Sequence, residues 1–289
     1  VRPNTPRELV PGHLTRTEAV EWFHEADRVF IGAGAGLSAA AGFDYTDQAR
    51  FAELFPALRG LGFKARYEMI GQPLPPGLQW GFWAVHTSDI RFGREPSPLY
   101  RSLRELAGER DCFVLSSNVD QLFIRNGFDP GRQFTPQGDY GLYQCLTPCT
   151  RQVWESEPII RRALESYDET TGETSAVPAC PNCGGPVSLN VYAGSWYIND
   201  HFLPGADAAN AWLADAARGD EKVAVIEFGA GFNTPAVVRW PVEDIAGTLP
   251  NARLIRINPG HPGVPERLAG ISASLPVGAD EAIEMLTGG

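Results

Sequence analysis

Four of the five cysteines fall in two close pairs, Cys145-x3-Cys149 and Cys180-x2-Cys183. Thiolates at these spacings can converge on one ion, and four of them make the closed tetrahedral set of a structural Zn(II) site, which leaves no open position for metal catalysis. The Gly-Gly that follows Cys183 fits a tight metal knuckle. Disulfides and free buried thiols compete with this reading. A chain this long and this rich in ordinary core residues needs no disulfide scaffold, which favours metal in a reducing compartment, the cytosol.

Two other stretches carry chemistry. Val29-Phe-Ile31 runs into Gly32-Ala-Gly34-Ala35-Gly36-Leu-Ser38, a strand, a Gly-rich turn and a small-residue helix start. Glycines let a backbone approach a phosphate, and helix N-terminal N–H groups face the anion. Gly34-x-Gly36-x-x-Ala39 fits the general dinucleotide fingerprint, a pattern many oxidoreductases share. A dehydrogenase would also need an acid about 20 residues on, at the end of a second strand. Only Glu53 stands near that spacing, in the helical-looking segment FAELF, so the dehydrogenase reading loses force. Further on, Ser116-Ser117-Asn118-Val-Asp120 leaves an apolar run, Cys112–Leu115, and Gln137-Gly138 follows. Asn118 and Asp120 can cap a helix through VDQLFIRNG or orient a polar substrate. Gln137 can hold a hydroxyl by hydrogen bonds but cannot take its proton at neutral pH.

The elements that must position these residues alternate between strand and helix patterns. Thr15 or Thr17 can cap a helix through Glu18, Trp22 and Phe23, after an N-terminal stub that reads as a linker. Ser97 can cap PLYRSLRELAGE, and strands follow at 112–115, 223–228 and 254–257, with helices at 206–218 and 279–286. This order implies an α/β, doubly wound, Rossmann-like parallel sheet, which binds ligands at the carboxyl ends of its strands. Ala35, Asn118, Gly229 and Asn258 fall at such ends. The expected division is a Rossmann-like domain of 1–144 and 190–289, a helical insert at about 47–98, and a smaller zinc-binding module at 145–189. Trp80, Phe82 and Trp83 of the insert read as core aromatics, and Cys112 as a small core residue.

Composition excludes more than it indicates. The chain has 289 residues, 43% of them hydrophobic, with a net charge of -11 and no Lys/Arg run. That argues against nucleic-acid and anionic-membrane partners. No apolar run reaches the length of a membrane span, and VRPNTPRELVPGHL has no signal-peptide core.

Ser116-Ser117-Asn118-Val119-Asp120, with Leu122 and Gly127, resembles the NAD-binding motif of the sirtuin family. Gly34-Ala35-Gly36-Leu37-Ser38 with Gly42-Phe43-Asp44-Tyr45 resembles its Gly-Ala-Gly turn, with the Pro missing and one residue deleted. Four cysteines follow where sirtuins carry their zinc module. Where deacylating sirtuins have a catalytic His before a Gly, this chain has Gln137. Gln137-Gly138-Asp139-Tyr140, Gln144 and Phe228-Gly-Ala-Gly-Phe-Asn233-Thr-Pro235 resemble the class M branch, associated in microbes with macrodomain proteins.

The resemblance implies NAD as co-substrate and a structural Zn(II). In it Asn118, Gln137 and Asp120 are the catalytic residues; Gly34, Ala35, Gly36 and Ser38 cradle the diphosphate. Asp44 and Tyr45 close over the nicotinamide ribose, Ser117 joins them, and Gly229, Asn233 and Asn258 line the ribose and adenine end. The activity implied is protein ADP-ribosylation, on a lipoyl-carrying glycine-cleavage H-like protein, with a macrodomain partner. A lysine deacylase, an NAD glycohydrolase and a non-catalytic NAD or ADP-ribose sensor remain alternatives. His13, His24, His86, His201 and His261 are the candidates for a displaced base, and a surface or core role is expected for each.

Overall fold

Six runs build the central sheet: β1 (Arg28–Ala33), β2 (Asp111–Ser116), β3 (Gln133–Phe134), β4 (Val223–Phe228), β5 (Ala252–Ile257) and β6 (Ser272–Leu275). In this computed structural model, which describes residues 8–93 and 96–288, they pair in parallel in the order β6-β5-β4-β1-β2-β3. The order reverses between β1 and β4, so a crevice opens beyond their carboxyl ends, as in other doubly wound sheets. Helices cover both faces, and β4 is buried at every residue. Most of the expected linker, residues 1–7, and two insert residues, 94 and 95, lie outside the described residues.

Local chemistry sets the helix starts. Thr15 and Glu18 form a reciprocal capping box at the head of helix Arg16–Glu25. Ser97 stands at the N-cap of helix Pro98–Ala107 but makes no capping hydrogen bond; Pro98 at the first helical position presets the turn instead. The helix expected through VDQLFIRNG shrinks to one turn, Leu122–Arg125, because Gln121 before it takes φ 57°, outside the helical region.

The insert is helical, with its own core of Phe51, Phe55, Leu58, Met69, Leu78 and Phe82 beneath helix Pro76–Thr87. Trp80 and Phe82 are buried and Trp83 packs against the core, as expected of structural aromatics. The cysteine module is built on an antiparallel sheet of Val153–Glu155, Gly138–Cys145 and Val187–Val191. The boundaries expected at 144/145 and 189/190 therefore fall inside strands, since a strand ends where its partner ends. Gln144, fully buried, fixes the return of the chain: it donates to the Trp196 carbonyl (2.8 Å) and accepts from Asn190 Nδ2 (2.7 Å) and the Ile198 N–H (3.0 Å).

Candidate functional site

The Gly-rich turn leaves β1 and meets the loop that leaves β4. A Cβ on Gly34 would stand 2.5 Å from Ala230 Cα, and one on Gly36 would stand 2.7 Å from Gly229 Cα. The two loops touch backbone to backbone, which only glycine allows. The Gly34 N–H donates to the Phe228 carbonyl (2.9 Å) and that of Gly36 to Gly229 (3.1 Å), so both hold the turn in shape. Ala35 and Gly36 stay exposed at its mouth. Beside them lies a cavity of 380 Å³ lined by Gly36, Gly229, Gly231, Asn258 and His261, among others.

Asn118 and Asp120 leave β2 next to this turn. Asn118 Nδ2 donates to the Gly34 carbonyl (3.0 Å), which fixes the orientation of the amide. Asp120 Oδ2 accepts from Ser38 Oγ (2.6 Å) and Oδ1 from the Leu122 N–H (2.9 Å). Burial pushes the Asp120 carboxyl up from its ordinary range, and those two donors oppose the shift. Tyr100, 3.3 Å from Ser38 Oγ, closes the cluster from below. The Ser117 N–H donates to Ala33 (3.0 Å), pinning β2 to β1 at the site.

Gln137 is half-buried, and its side-chain amide has no protein partner among the described residues. Its carbonyl accepts from the Tyr192 N–H (2.9 Å). Gly138 has φ 107°, and a Cβ there would stand 2.2 Å from the Asn190 carbonyl, so the residue after Gln137 has to be glycine. The Tyr140 N–H donates to Val119 (3.0 Å), clamping this segment against Asn118 and Asp120. The Tyr45 and Tyr140 hydroxyls share a hydrogen bond, and burial pushes the Tyr140 hydroxyl up to about 12. Asp44 accepts from Thr46 N (2.8 Å) and Oγ1 (2.7 Å), so it shapes its own turn. Asn233 is exposed and makes none of these contacts. Asn258 lines the cavity, yet its amide is engaged: Nδ2 donates to Ala230 (3.2 Å), and Oδ1 accepts from the N–H groups of Gly260 (3.1 Å) and His261 (2.9 Å).

His13, His24, His201 and His261 are exposed. His86 is fully buried among Tyr45, Phe82, Trp83 and Tyr140, with neither ring nitrogen hydrogen-bonded among the described residues. Burial holds its pKa well below the ordinary histidine value, with Arg66 adding to the shift. His86 couples the insert to both Tyr45 and Tyr140. Sequence reasoning gave it only a core or surface role, since nothing in its spacing points to either tyrosine.

The four thiol sulfurs of Cys145, Cys149, Cys180 and Cys183 all lie within 4.8 Å of one another. Cys145–Cys183 and Cys149–Cys180 are 3.7 and 3.6 Å apart, far too long for disulfides. A tetrahedron of Zn–S bonds of about 2.3 Å puts sulfurs about 3.8 Å apart, so the donor set fits Zn(II).

The fold has solved counterparts. A Sir2 homologue in complex with NAD superimposes with a TM-score of 0.60 at 19% identity, covering 98% of this chain and 96% of that one. This is the Sir2 fold. No protein-family model matches the chain. A probable bifunctional ADP-ribose hydrolase/ADP-ribosyltransferase of Fusarium oxysporum f. sp. cubense is 35% identical over 251 residues, 84% of this chain but 42% of its own length. A protein ADP-ribosyltransferase of Staphylococcus aureus (strain Mu50 / ATCC 700699) is 29% identical over 243 residues, 81% of this chain and 75% of that protein. The Sir2-fold site here thus unites Gly34, Ser38, Asn118 and Asp120 in one bonded cluster, sets Gly229 and Asn258 across the crevice, and leaves Asn233 apart. No helix among the described residues is long and apolar enough to cross a membrane.

Proposed function

We propose that the chain is an NAD-dependent protein ADP-ribosyltransferase of the class M sirtuin kind. The observation that carries this reading is Gln137: a half-buried amide without a protein partner among the described residues, on the segment that the Tyr140 N–H clamps to the Asn118–Asp120 loop, where no described histidine is bonded. Both relatives named above carry ADP-ribosyltransferase in their names, which supports the same reading.

Transfer needs less of the protein than deacylation does. Nicotinamide leaves when the bond between ribose C1′ and the pyridinium nitrogen breaks and the nitrogen keeps the electron pair. An acceptor carboxylate, already an anion, then forms the new C1′–O bond, and no proton has to be removed. The site has to order the ribose and hold both partners. The Asn118 oxygen, fixed through Gly34, takes a ribose hydroxyl; Gln137 takes a second hydroxyl or the acceptor. Asp120 and Ser38 shape the nicotinamide end, with Tyr45 above it. Gly34, Ala35 and Gly36 receive the diphosphate, and the 380 Å³ cavity beside Gly229 and Asn258 receives the adenosine. The four thiolates hold Zn(II) as scaffold, and thiolate ligation of this kind is in keeping with a reducing compartment such as the cytosol. A lipoyl-carrying glycine-cleavage H-like protein as acceptor and a macrodomain protein as partner complete the proposal. The hydrolase in the fungal relative's name is in keeping with such a partner.

Incubation with NAD and an acyl-lysine peptide tests the reading by mass spectrometry. The expected result is no acyl-ADP-ribose. Peptide deacylation that persists in Gln137→Ala would establish the deacylase instead.

A further inference from the structure

We infer that Arg239 is a positioning residue for the adenosine end of NAD, an inference that rests on NAD being the co-substrate. Arg239 is 1% exposed and opens helix Arg239–Thr248. Its NH1 donates to the carbonyls of Ala230 (3.1 Å) and His261 (3.1 Å), and its NH2 to that of Gly263 (2.7 Å). Ala230 belongs to the loop leaving β4; His261 and Gly263 belong to the loop leaving β5. These two loops supply Gly229, Gly231, Asn258 and His261 to the 380 Å³ cavity. One planar guanidinium therefore spans the two loops, together with Asn258 on Ala230 and Arg256 on Gly263.

The charge is compensated in place. Glu227 and Glu243 lie 3.9 and 3.8 Å from Arg239, and Arg256 bonds both, at 2.6 and 3.0 Å. Two arginines and two glutamates, each at most 1% exposed, make a neutral buried cluster. Apolar side chains of similar volume would fill this space without the desolvation cost, so burial alone does not explain the charges. The loop carbonyls turned inward do explain them: Arg239 ties His261 to Ala230, which also accepts from Asn258, and to Gly263, which also accepts from Arg256 NH1 (2.8 Å). Phe232, 46% exposed, rests on the same group: its ring lies 4.4 Å from the Arg239 guanidinium carbon and edge-on to His261 at 5.2 Å. Phe232, next to Gly231 of the lining, and the two loops share this guanidinium.

Calorimetry with ADP-ribose and steady-state kinetics with NAD test the assignment on Arg239→Lys and Phe232→Ala. Lysine keeps the charge but cannot span both loops. Arg239→Lys is expected to weaken ADP-ribose binding about tenfold, the equivalent of one charged hydrogen bond. KM for NAD should rise by a similar factor while kcat at saturation stays within about threefold, a split that mere loss of folded protein does not give. Phe232→Ala, at an exposed position, should weaken binding about threefold. A folded Arg239→Lys with unchanged affinity, or with loss confined to kcat, overturns the assignment. If Arg239→Lys does not fold, unchanged affinity in Phe232→Ala overturns it. Weakened ADP-ribose binding in a protein that transfers nothing to protein leaves this assignment standing and removes the transferase. Failure of the wild type to bind ADP-ribose removes both.

Discussion

Gln137 and His86 are the two side chains in this site whose chemistry departs from what a proton-transfer enzyme would keep there. Gln137 offers only hydrogen bonds, so Gln137→Ala is expected to lower transfer by about ten- to a hundredfold, the range of one to two lost hydrogen bonds, without moving the pH optimum. A rate measured against pH checks both parts. His86 is buried neutral, with its pKa held well below the ordinary 6.5. The unfolded chain therefore takes up a proton that the folded chain refuses. The stability is fully present above the unfolded pKa and is lost as pH falls below it, by about 1.4 kcal/mol per pH unit until the folded pKa is reached. His86→Leu should abolish that slope in urea titrations at falling pH; an unchanged slope would assign the acid sensitivity to another group. The named glycines and Asn118, Asp120 and Gln137 were legible because they are close in sequence and of telling types. Tyr100, His86 and Arg239 were not, since only tertiary packing brings them to the site. Glu227 and Arg256 left a faint signal: opposite charges inside two apolar strands, which the sheet sets side by side.

Among the elements, the cysteine module and the segment proposed to be catalytic share a strand. Gly138–Cys145 starts beside Gln137 and ends on a zinc ligand, so loss of the metal should reach the site. Cys145→Ser is expected to lose Zn(II), melt the three-stranded sheet and cost most of the activity, because a metal that binds only the folded form contributes its binding energy to folding. Metal analysis with near-ultraviolet circular dichroism checks this; full activity in a zinc-free protein would contradict it. The strand and helix alternation gave the doubly wound sheet, because a buried parallel strand reads as an apolar run. The single turn at Leu122 and the module's true edges were hidden. One depends on the backbone angle of Gln121, and the other on which distant strand pairs with Gly138–Cys145.

At the scale of the molecule, the crevice between β1 and β4, the helical insert above it and the module beside it converge on one place. The insert reaches it through His86 and Tyr45, the module through Tyr192 and Gln137, and the sheet through Asn118 and Gly229. On the proposed reading such an arrangement would order NAD while an acceptor approaches, and transfer to a carboxylate would ask no base of it. The central claim is that ADP-ribose leaves NAD for a protein. The most direct test is mass spectrometry of cell-lysate proteins after incubation with the enzyme and isotopically labelled NAD. The predicted result is label covalently attached to an acceptor protein, with one nicotinamide released per adduct and the signal greatly reduced in Gln137→Ala. Label recovered only as free ADP-ribose, as acyl-ADP-ribose or as unchanged NAD would contradict the account.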